Sequence, residues 1–287
     1  MQVHLTERRL AAVRRFFQCS SKSDLLGCYT WCQALSGALL PLLNDFEVTL
    51  RNALHRALSQ FYAQTDSAPW MLPLAGPVHA GAPIPKTPHS MPPQDRHEIH
   101  KFVDRRSRKG KTISQDDVVA SASFGFWEQL VNGLGRSNHP PALQQSVLQM
   151  AFPYAPVGTQ YGSEDFRNRL VRLLRAVRDV RNRVGHHDAI WGMPEFDAYG
   201  HIGFIPRRPR HTVVSAKLFA QRLVWIASWI DPEIAAHISR SEHWERLHKV
   251  LSRCALTAYR RRAGRAGCHE AVLKGGTRLG PRRTLHY

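Results

Sequence analysis

Apolar residues recur at three- and four-residue steps along most of this chain, and strictly alternating patterns are scarce. Steps of three and four residues place apolar side chains on one face of an α-helix, whereas alternation is typical of a half-buried strand. The longest such face comprises Leu39, Leu43, Phe46, Leu50, Leu54, Ala57 and Phe61. The pattern therefore predicts an all-α fold.

Helix starts in the first half of the chain can be placed from capping residues. A short helix is predicted from Thr6 and Glu7 to about Phe17, and a longer one begins at a cap formed by Ser23 or Asp24. Pro41 lies inside the second helix and is expected to kink or divide it. Ser114 is predicted to cap one helix that carries Val118, Phe124, Phe126, Trp127 and Leu130.

The second half of the chain has a helix near residues 142–151 and then the clearest helix of all. Ser163 caps this helix, Glu164 lies in its first turn, and Gly185 is its expected end. A loop with short strands is expected over residues 188–211. Two more helices are predicted, one capped by Thr212 and one over about residues 241–262.

Residues 64–93 differ from the rest because eight prolines exclude a helix there. A polar helix is expected over residues 94–106, followed by a basic loop from Arg105 to Lys111. We predict one helical domain over residues 1–262, with a loop-rich basic insertion at 64–113. A flexible basic tail is expected over residues 263–287.

The charge of the chain points to a polyanionic partner. Lys and Arg total 40 against 22 Asp and Glu, which gives a net charge of +18. Residues 260–287 hold eight of the Lys and Arg residues and one Glu, so the remainder is also strongly basic. Neutralising phosphates releases counterions, and RNA or DNA is therefore favoured as a ligand.

The five cysteines are an odd number with no framework spacing, which fits a reduced, cytoplasmic setting. Cys28 and Cys32 are one helical turn apart and are expected to pack as small apolar residues. The N-terminus has no signal-type apolar core, and no window reaches the length of a membrane span. We expect a cytoplasmic protein without a membrane partner.

The segment from Arg181 to His186 carries the chemistry of greatest interest. Arg181 can hold and neutralise a phosphate, and a histidine such as His186 moves protons near neutral pH. On a helical wheel, Arg181 lies about 40° from Val177, at the edge of the apolar face. An inward-directed arginine needs a partner or a function.

His186 is five residues after Arg181 and would lie about 140° from it in an unbroken helix. Two arrangements bring them together. Gly185 releases the backbone so that His186 swings back, or the arginine of one chain works with the histidine of another. The structural alternative is a helix-terminal histidine that caps carbonyls beside a surface arginine.

Three ordered segments resemble one protein family. Residues 178–190 (RDVRNRVGHHDAI) resemble the signature of the Abi-like proteins, a branch of the HEPN ribonuclease superfamily. Residues 46–54 (FEVTLRNAL) resemble the early Glu-x3-Arg helix of that family. Residues 123–127 (SFGFW) resemble its middle Ser-Phe-Gly-Phe-Trp segment. The resemblance covers about residues 5–235.

The resemblance implies a HEPN-like helical bundle with extra helices around a HEPN core. It also implies a metal-independent endoribonuclease site, often formed where two motifs meet. It also implies a role in abortive infection, a phage defence in which the host cell halts its own growth, or in a toxin-antitoxin system. Only one motif matches well in this chain, which implies a homodimer. No cofactor and no metal are expected.

The resemblance and the charge pattern assign the candidate residues. Arg181, Asn182 and His186 are the expected catalytic set, cutting single-stranded RNA to 2′,3′-cyclic phosphate and 5′-hydroxyl ends. Arg178 and His187 are expected to support them, together with Glu47 and Arg51, which form either an intrahelical ion pair or a contact from Glu47 to Arg178 or Arg181. RNA-binding residues are expected to be Arg172, Arg175, Arg183, Arg105, Arg106, Lys109 and Lys111.

Other features leave alternatives. Phe124, Phe126 and Trp127 are expected to pack in the core more readily than to stack on bases. The Arg51 to His55 spacing is one residue short of the motif, so no second active site is predicted. The alternative function is a non-catalytic HEPN-like protein that binds a structured non-coding RNA. An RNA is also a candidate inhibitor of an active enzyme.

Overall fold

The computed structural model describes residues 7–68, 70–71, 99, 101–105, 113–137 and 139–263. In this part of the chain the regular structure is helical, which confirms the all-α prediction. One isolated antiparallel bridge joins Phe196 and Ile202. The helices, in chain order, are α1 (Glu7–Phe17), α2 (Lys22–Ala63), α3 (Gln115–Ser121), α4 (Phe124–Gly133), α5 (Leu143–Ala151), α6 (Glu164–Gly185), α7 (Pro209–Ile230), α8 (Pro232–Arg240), α9 (Glu242–Val250) and α10 (Arg253–Arg261).

Serine caps set several of the helix starts. The Ser163 hydroxyl accepts from the Phe166 amide at 3.1 Å, as predicted for α6. Ser114 forms a reciprocal capping box with Asp117 on α3. The cap of α2 is Ser21, whose hydroxyl accepts from the Asp24 amide, and not Ser23 or Asp24. A cap hydrogen bond satisfies one amide that the helix itself leaves unpaired.

Pro41 does not divide α2, so that part of the sequence-based expectation is wrong. The helix continues through it for 42 residues in all. Proline at this position removes the hydrogen bond to the Gly37 carbonyl, one turn back. Gly37 is exposed, with open space around it, so water can reach that carbonyl. Burial of Leu39, Leu42 and Leu43 on the opposite face then favours the continuous helix.

Three predicted helices have different limits in the structure. The helix predicted from Ser114 through Leu130 is two helices, because Ser123 caps α4 anew through the Phe126 amide. The predicted 241–262 helix divides in the same way, with Ser252 capping α10. Thr212 is not the cap of α7, which begins at Pro209. Its buried hydroxyl donates instead to the Trp191 carbonyl at 2.8 Å.

The first of two compact units comprises the described parts of Met1–Asp45, Asp179–Trp225 and Ala235–Tyr287. Its core holds an aromatic cluster in which the Phe17 ring lies 5.9 Å from Trp31 and 6.1 Å from Trp191. The Trp31 indole donates to the Val250 carbonyl at 3.0 Å. Segments that are distant in the chain are thereby joined, including the one that follows the Arg181–His186 motif.

The second unit comprises the described parts of Phe46–Arg178 and Ile226–Ile234. Phe46 and Phe124 pack together in it, as do Phe166 and Trp229. Trp70 lies within the predicted proline-rich loop, yet it is fully buried. Its indole donates to His55 Nδ1 at 3.0 Å. The start of the predicted loop-rich insertion is therefore packed within the second unit.

Two helices meet the length and apolarity of a membrane span, contrary to the expectation from sequence. They are Lys22–Ala63 and Pro209–Ile230, and the apolar stretches are 50% and 61% buried within the protein. Burial of this kind is typical of a core helix. The polar residues Thr212, Ser215 and Arg222 are buried in the second of them.

Candidate functional site

The Arg181–His186 motif occupies the C-terminal end of α6, in the first unit. The His186 amide donates to the Asn182 carbonyl at 2.8 Å, so helical hydrogen bonding extends past Gly185. The next two amides close the helix: His187 donates to Val184 at 3.2 Å and Asp188 donates to Arg183 at 2.8 Å. This pair of bonds is a Schellman motif.

The chain reverses at His187 and not at Gly185. His187 has a φ of +53°, in the left-handed region that glycine usually occupies at this position. Of the two arrangements expected from the sequence, release of the backbone at Gly185 is therefore wrong, and His186 keeps its helical phase. It lies about 140° around the helix from Arg181. The structure therefore does not contain a single-chain site in which a swing at Gly185 brings His186 to Arg181.

Arg181 is half-buried, and its guanidinium lies beside Gly185. The Arg181 Nη1 atom lies 3.8 Å from the place that a Cβ atom on Gly185 would take, which is an ordinary contact distance. Asn182 is half-buried, and His186 and His187 are both exposed.

Arg183 holds the loop that follows the motif. Its Nη1 donates to the Ala189 carbonyl at 3.1 Å. Two residues later the Trp191 carbonyl accepts from Thr212. Arg183 was predicted to bind RNA, and at least part of its donor capacity is used within the protein. These contacts fix the chain directly after His186 and so fix the exit from the helix.

Arg175 and Arg178 converge on a carboxylate that the sequence analysis missed. Glu128 of α4 is fully buried in the second unit; Arg175 Nε lies 3.0 Å from its Oε1, and Arg178 Nη1 pairs with its Oε2. A buried carboxylate requires such partners. One signal was available in the sequence, because Glu128 is the one charged residue in the apolar helix Phe124–Gly133.

This cluster changes the predicted roles of two arginines. Arg175 was expected on a solvated, RNA-facing stripe, but its Nε is committed to Glu128 while 51% of its side chain is exposed. Arg178 was expected to support the motif, with a contact to Glu47 as one alternative, and its Nη1 is paired with Glu128. The arginines of α6 therefore do not form one uniform RNA-binding face.

Glu47 and Arg51 lie on the part of α2 that belongs to the second unit, and both are half-buried. Arg51 Nη1 donates to the Ala120 carbonyl at the end of α3, at 3.3 Å. This bond satisfies a carbonyl that the short helix leaves open. It gives Arg51 a structural contact of its own, which neither of the predicted pairings anticipated.

The structure describes only some of the remaining residues that were predicted to bind RNA. Arg172 is half-buried on α6, and Arg105 is exposed at the end of a helical segment at residues 101–105 and not in a loop. Arg106, Lys109 and Lys111 lie outside the described residues. The prediction that Phe124, Phe126 and Trp127 pack in the core is confirmed, because each is at most 2% exposed.

His55 has a structural role. Its Nδ1 accepts from the Trp70 indole, and its Nε2 lies 3.2 Å from the Ser67 hydroxyl. Burial lowers the pKa of His55, with Asp116 opposing that effect. A neutral ring fits these contacts, because Nδ1 must remain an acceptor.

Cys19, Asp24 and Cys28 form a group of possible metal ligands in the described part of the chain, with ligand atoms within 4.8 Å of one another. Arg260 Nε and Nη2 already donate to the two Asp24 oxygens at 2.5 and 2.6 Å. Burial raises the pKa of Cys19 and of Cys28, which favours protonated thiols. An arginine on the carboxylate and protonated thiols both oppose cation binding. Cys28 and Cys32 are buried, as predicted.

The chain was compared with models of protein families, with curated proteins and with solved structures. None of the three comparisons gave a match. The resemblance to HEPN ribonucleases therefore rests on the three segments at residues 46–54, 123–127 and 178–190, and what it implies about function is a proposal.

Proposed function

We propose that this protein is a metal-independent endoribonuclease that cuts single-stranded RNA with Arg181, Asn182 and His186. The observation that carries the proposal is the end of α6. There the described structure combines an exposed imidazole with a half-buried guanidinium and fixes both on a helix that is closed by a Schellman motif. A net charge of +18 supports an RNA substrate.

The chemistry needs a phosphate, a proton carrier and the nucleophile that RNA itself supplies. His186 accepts the proton of the 2′-hydroxyl, or donates a proton to the departing 5′-oxygen. The 2′-oxygen forms a bond to phosphorus as the bond to the 5′-oxygen breaks. Arg181 stabilises the extra negative charge on the phosphate in the transition state, and Asn182 positions one of these groups. The products are a 2′,3′-cyclic phosphate and a 5′-hydroxyl.

The helical phase of the motif favours a site made by two copies of the chain. His186 lies about 140° from Arg181, so the two side chains of one helix do not face the same phosphate. Two protomers that pack motif to motif present the arginine of one to the histidine of the other. A homodimer with one composite site therefore fits the geometry better than an autonomous monomer.

We propose further that the chain belongs with the Abi-like HEPN proteins and acts in abortive infection or as the toxin of a toxin-antitoxin system in the cytoplasm. An RNase of this kind must be restrained in its own host. The positive charge suits a non-coding RNA as the inhibitor. Purified protein that is free of nucleic acid, by its absorbance ratio and on a gel, would count against that form of restraint.

The test is induced expression of the wild type and of His186→Ala, with the ends of cellular RNA mapped in parallel. The wild type arrests growth and leaves 5′-hydroxyl ends, which polynucleotide kinase labels. His186→Ala does neither, and His237→Ala, an exposed histidine on α8, behaves as the wild type. Cleavage by the purified protein persists in EDTA. Equal toxicity of the wild type and His186→Ala would overturn the catalytic proposal.

One observation favours the second candidate, a non-catalytic protein that holds a structured RNA. The structure keeps Arg181 and His186 on different sides of the helix, which a binding protein tolerates. This candidate predicts that Arg181→Ala and His186→Ala leave the phenotype intact. It also predicts that charge reversal at Arg172 abolishes it, while Arg175 is left unchanged because its Nε is committed to the buried Glu128.

A further inference from the structure

The chain between the motif and α7 forms a short hairpin in the first unit. The Asp197 amide donates to the His201 carbonyl at 3.1 Å, and the Glu195 amide donates to the Phe204 carbonyl at 2.8 Å. Gly200, with a φ of +78°, makes the turn. The fold of this segment is therefore defined, although regular strands do not form in it.

This hairpin exposes large apolar and aromatic side chains. Tyr199 and Ile202 are each 56% exposed, and Phe204 is 43% exposed. The rings are ordered by their neighbours: Tyr199 stacks on His201 with centroids 6.3 Å apart, and the His211 ring meets Phe204 edge-on at 5.1 Å. Exposed rings held in place in this way are suited to stacking with a planar ligand.

A run of exposed cations follows the exposed rings. Arg207, Arg208 and Arg210 lie within four positions of the chain, and all three are exposed. Arg210 Nε is 3.3 Å from the His211 ring, the same ring that meets Phe204. The aromatic and cationic parts are thereby continuous. We call Tyr199, His201, Phe204, Arg207, Arg208 and Arg210 the hairpin surface.

The acidic residues of the segment are engaged within the protein. Asp197 accepts from the amides of Tyr199 at 2.8 Å and His201 at 2.9 Å, and Glu195 accepts from the Ser215 hydroxyl at 2.6 Å. Burial acts to raise the pKa of Asp197, but the donors from His201 and Tyr199 outweigh it and lower the pKa. The carboxylates of Glu195 and Asp197 thus stabilise the hairpin. The exposed arginines of the hairpin surface can bind an anion.

We propose that the hairpin surface binds single-stranded RNA, stacking unpaired bases on Tyr199 and Phe204 while the arginines hold the backbone. Rings and cations together favour nucleic acid over an apolar protein partner, and unpaired bases favour a single strand. The inference rests on the proposed function for its choice of RNA. Thr212, at the start of α7, donates a hydrogen bond to the carbonyl of Trp191, and Trp191 is five residues after His186. The hairpin surface therefore adjoins the loop that follows the Arg181–His186 motif.

The test is fluorescence anisotropy with the full-length protein and a labelled 2′-O-methyl oligouridine. This probe lacks the nucleophile and is not consumed by the proposed cleavage. Tyr199→Ala with Phe204→Ala removes two stacking rings and weakens binding by about thirtyfold or more. Tyr199→Phe with Phe204→Tyr keeps the rings and keeps the affinity. Tyr154→Ala, which removes an exposed tyrosine of the second unit, has no effect.

Salt dependence tests the arginines separately. Replacing Arg207, Arg208 and Arg210 with Gln lowers the slope of log Kd against log salt by about 0.7 per residue, the value for single strands. Arg240→Gln removes an exposed arginine of α8 and leaves the slope unchanged.

A duplex of equal length binds alike to the wild type and to the alanine double variant, because its bases are not available for stacking.

Three results would overturn the inference. The double variant binds the single strand as the wild type does, or it loses duplex binding by the same factor. Alternatively, light scattering shows a loss of dimer while RNA affinity is unchanged, which would make the hairpin surface a protein contact.

If the protein cuts no RNA but ring-dependent binding holds, the proposed function fails alone. If the ring variants bind and cut as the wild type does, only this inference fails.

Discussion

Helix α6 carries two groups of basic residues in opposite settings. Arg175 and Arg178, in the second unit, converge on the fully buried Glu128. His186, in the first unit, follows the last turn of the helix and is exposed, and Arg181, five residues earlier, is half-buried. Both groups look alike in the sequence, as basic residues spaced along one amphipathic helix.

The difference lies in what the neighbouring elements supply. A buried carboxylate takes up guanidinium donors, so Arg175 and Arg178 stabilise the protein. A helix that ends at the surface leaves its last side chains accessible to a substrate. Positive charge alone therefore overstates the RNA-binding area of α6. The position of the helix end is a better indicator than charge of where a catalytic site can lie.

The strongest test of this contrast is Glu128→Ala, which leaves two arginines without their shared carboxylate. We expect a loss of about 3 kcal/mol in the free energy of unfolding, at the lower end of the range for a broken buried pair, because Arg175 is half-exposed. Urea unfolding of the purified protein measures it.

The matched control is Glu164→Ala, at the start of the same helix. Glu164 pairs with Arg167 at 3.3 Å, but its side chain is 74% exposed. A surface pair of this kind contributes less than about 1 kcal/mol. Equal losses for the Glu128 and Glu164 variants would show that the arginine cluster is not the structural element described above.

The Asp24–Arg260 pair shows whether an arginine held by a carboxylate is also structural in the first unit. Two charge-assisted hydrogen bonds join the pair, and Asp24→Asn should cost about 1–2 kcal/mol at pH 7. The hydrogen bonds from Arg260 lower the pKa of Asp24, although burial opposes this. Its stabilisation is therefore present above the ordinary carboxyl pKa of about 4 and is lost as the pH falls below that value.

Unfolding measured from pH 7 down to pH 3 checks this expectation. The gap in stability between the wild type and Asp24→Asn narrows as the pH falls. A gap that stays constant over this range would mean that the charge of Asp24 is not what stabilises the unit.

At the end of α6, His187→Gly separates the fold from the chemistry. His187 adopts a left-handed conformation that glycine takes without a steric cost, so the variant should gain about 1 kcal/mol in stability. RNA cleavage should remain if His187 only supports the fold. A stability equal to the wild type would contradict the described helix end, and lost cleavage would assign His187 a direct part in the reaction.

Gly185→Ala gives the smallest expected change. Gly185 is helical, and a Cβ atom there would meet Arg181 Nη1 at an ordinary distance of 3.8 Å. Alanine should therefore add about 0.5 kcal/mol of stability through its higher helix propensity. Thermal unfolding and cleavage assays check it. A fully folded but inactive Gly185→Ala would restore the view that Gly185 acts as a hinge.

Much of the fold could be predicted because its signals are local. The apolar spacing of α6 and its Ser163 cap lie within a few turns of sequence, and the structure has both. Pro41 shows the limit of a local rule, because burial along the rest of α2 outweighs one missing hydrogen bond. The break before Phe124 was missed because the apolar pattern continues through it, while Ser123 acts through a single cap bond.

The candidate site divides in the same way. The motif and its position at a helix end could be predicted, since both depend on neighbouring residues. The role of Glu128 could not, because its partners Arg175 and Arg178 lie about fifty positions away in the chain. The reversal at His187 was also missed, because glycine is the usual left-handed residue and Gly185 is only two positions earlier.

The central claim is that a cut requires Arg181 from one chain and His186 from another. The direct test is to co-express Arg181→Ala and His186→Ala chains with different tags, purify the mixed dimer and measure cleavage of single-stranded RNA. Each variant alone should lose at least about a hundredfold in rate. The mixed dimer should regain cleavage well above either parent, because it still contains one intact arginine and one intact histidine. A verified mixed dimer that is as inactive as its parents, or a wild-type monomer that cuts at the full rate, would contradict the composite site.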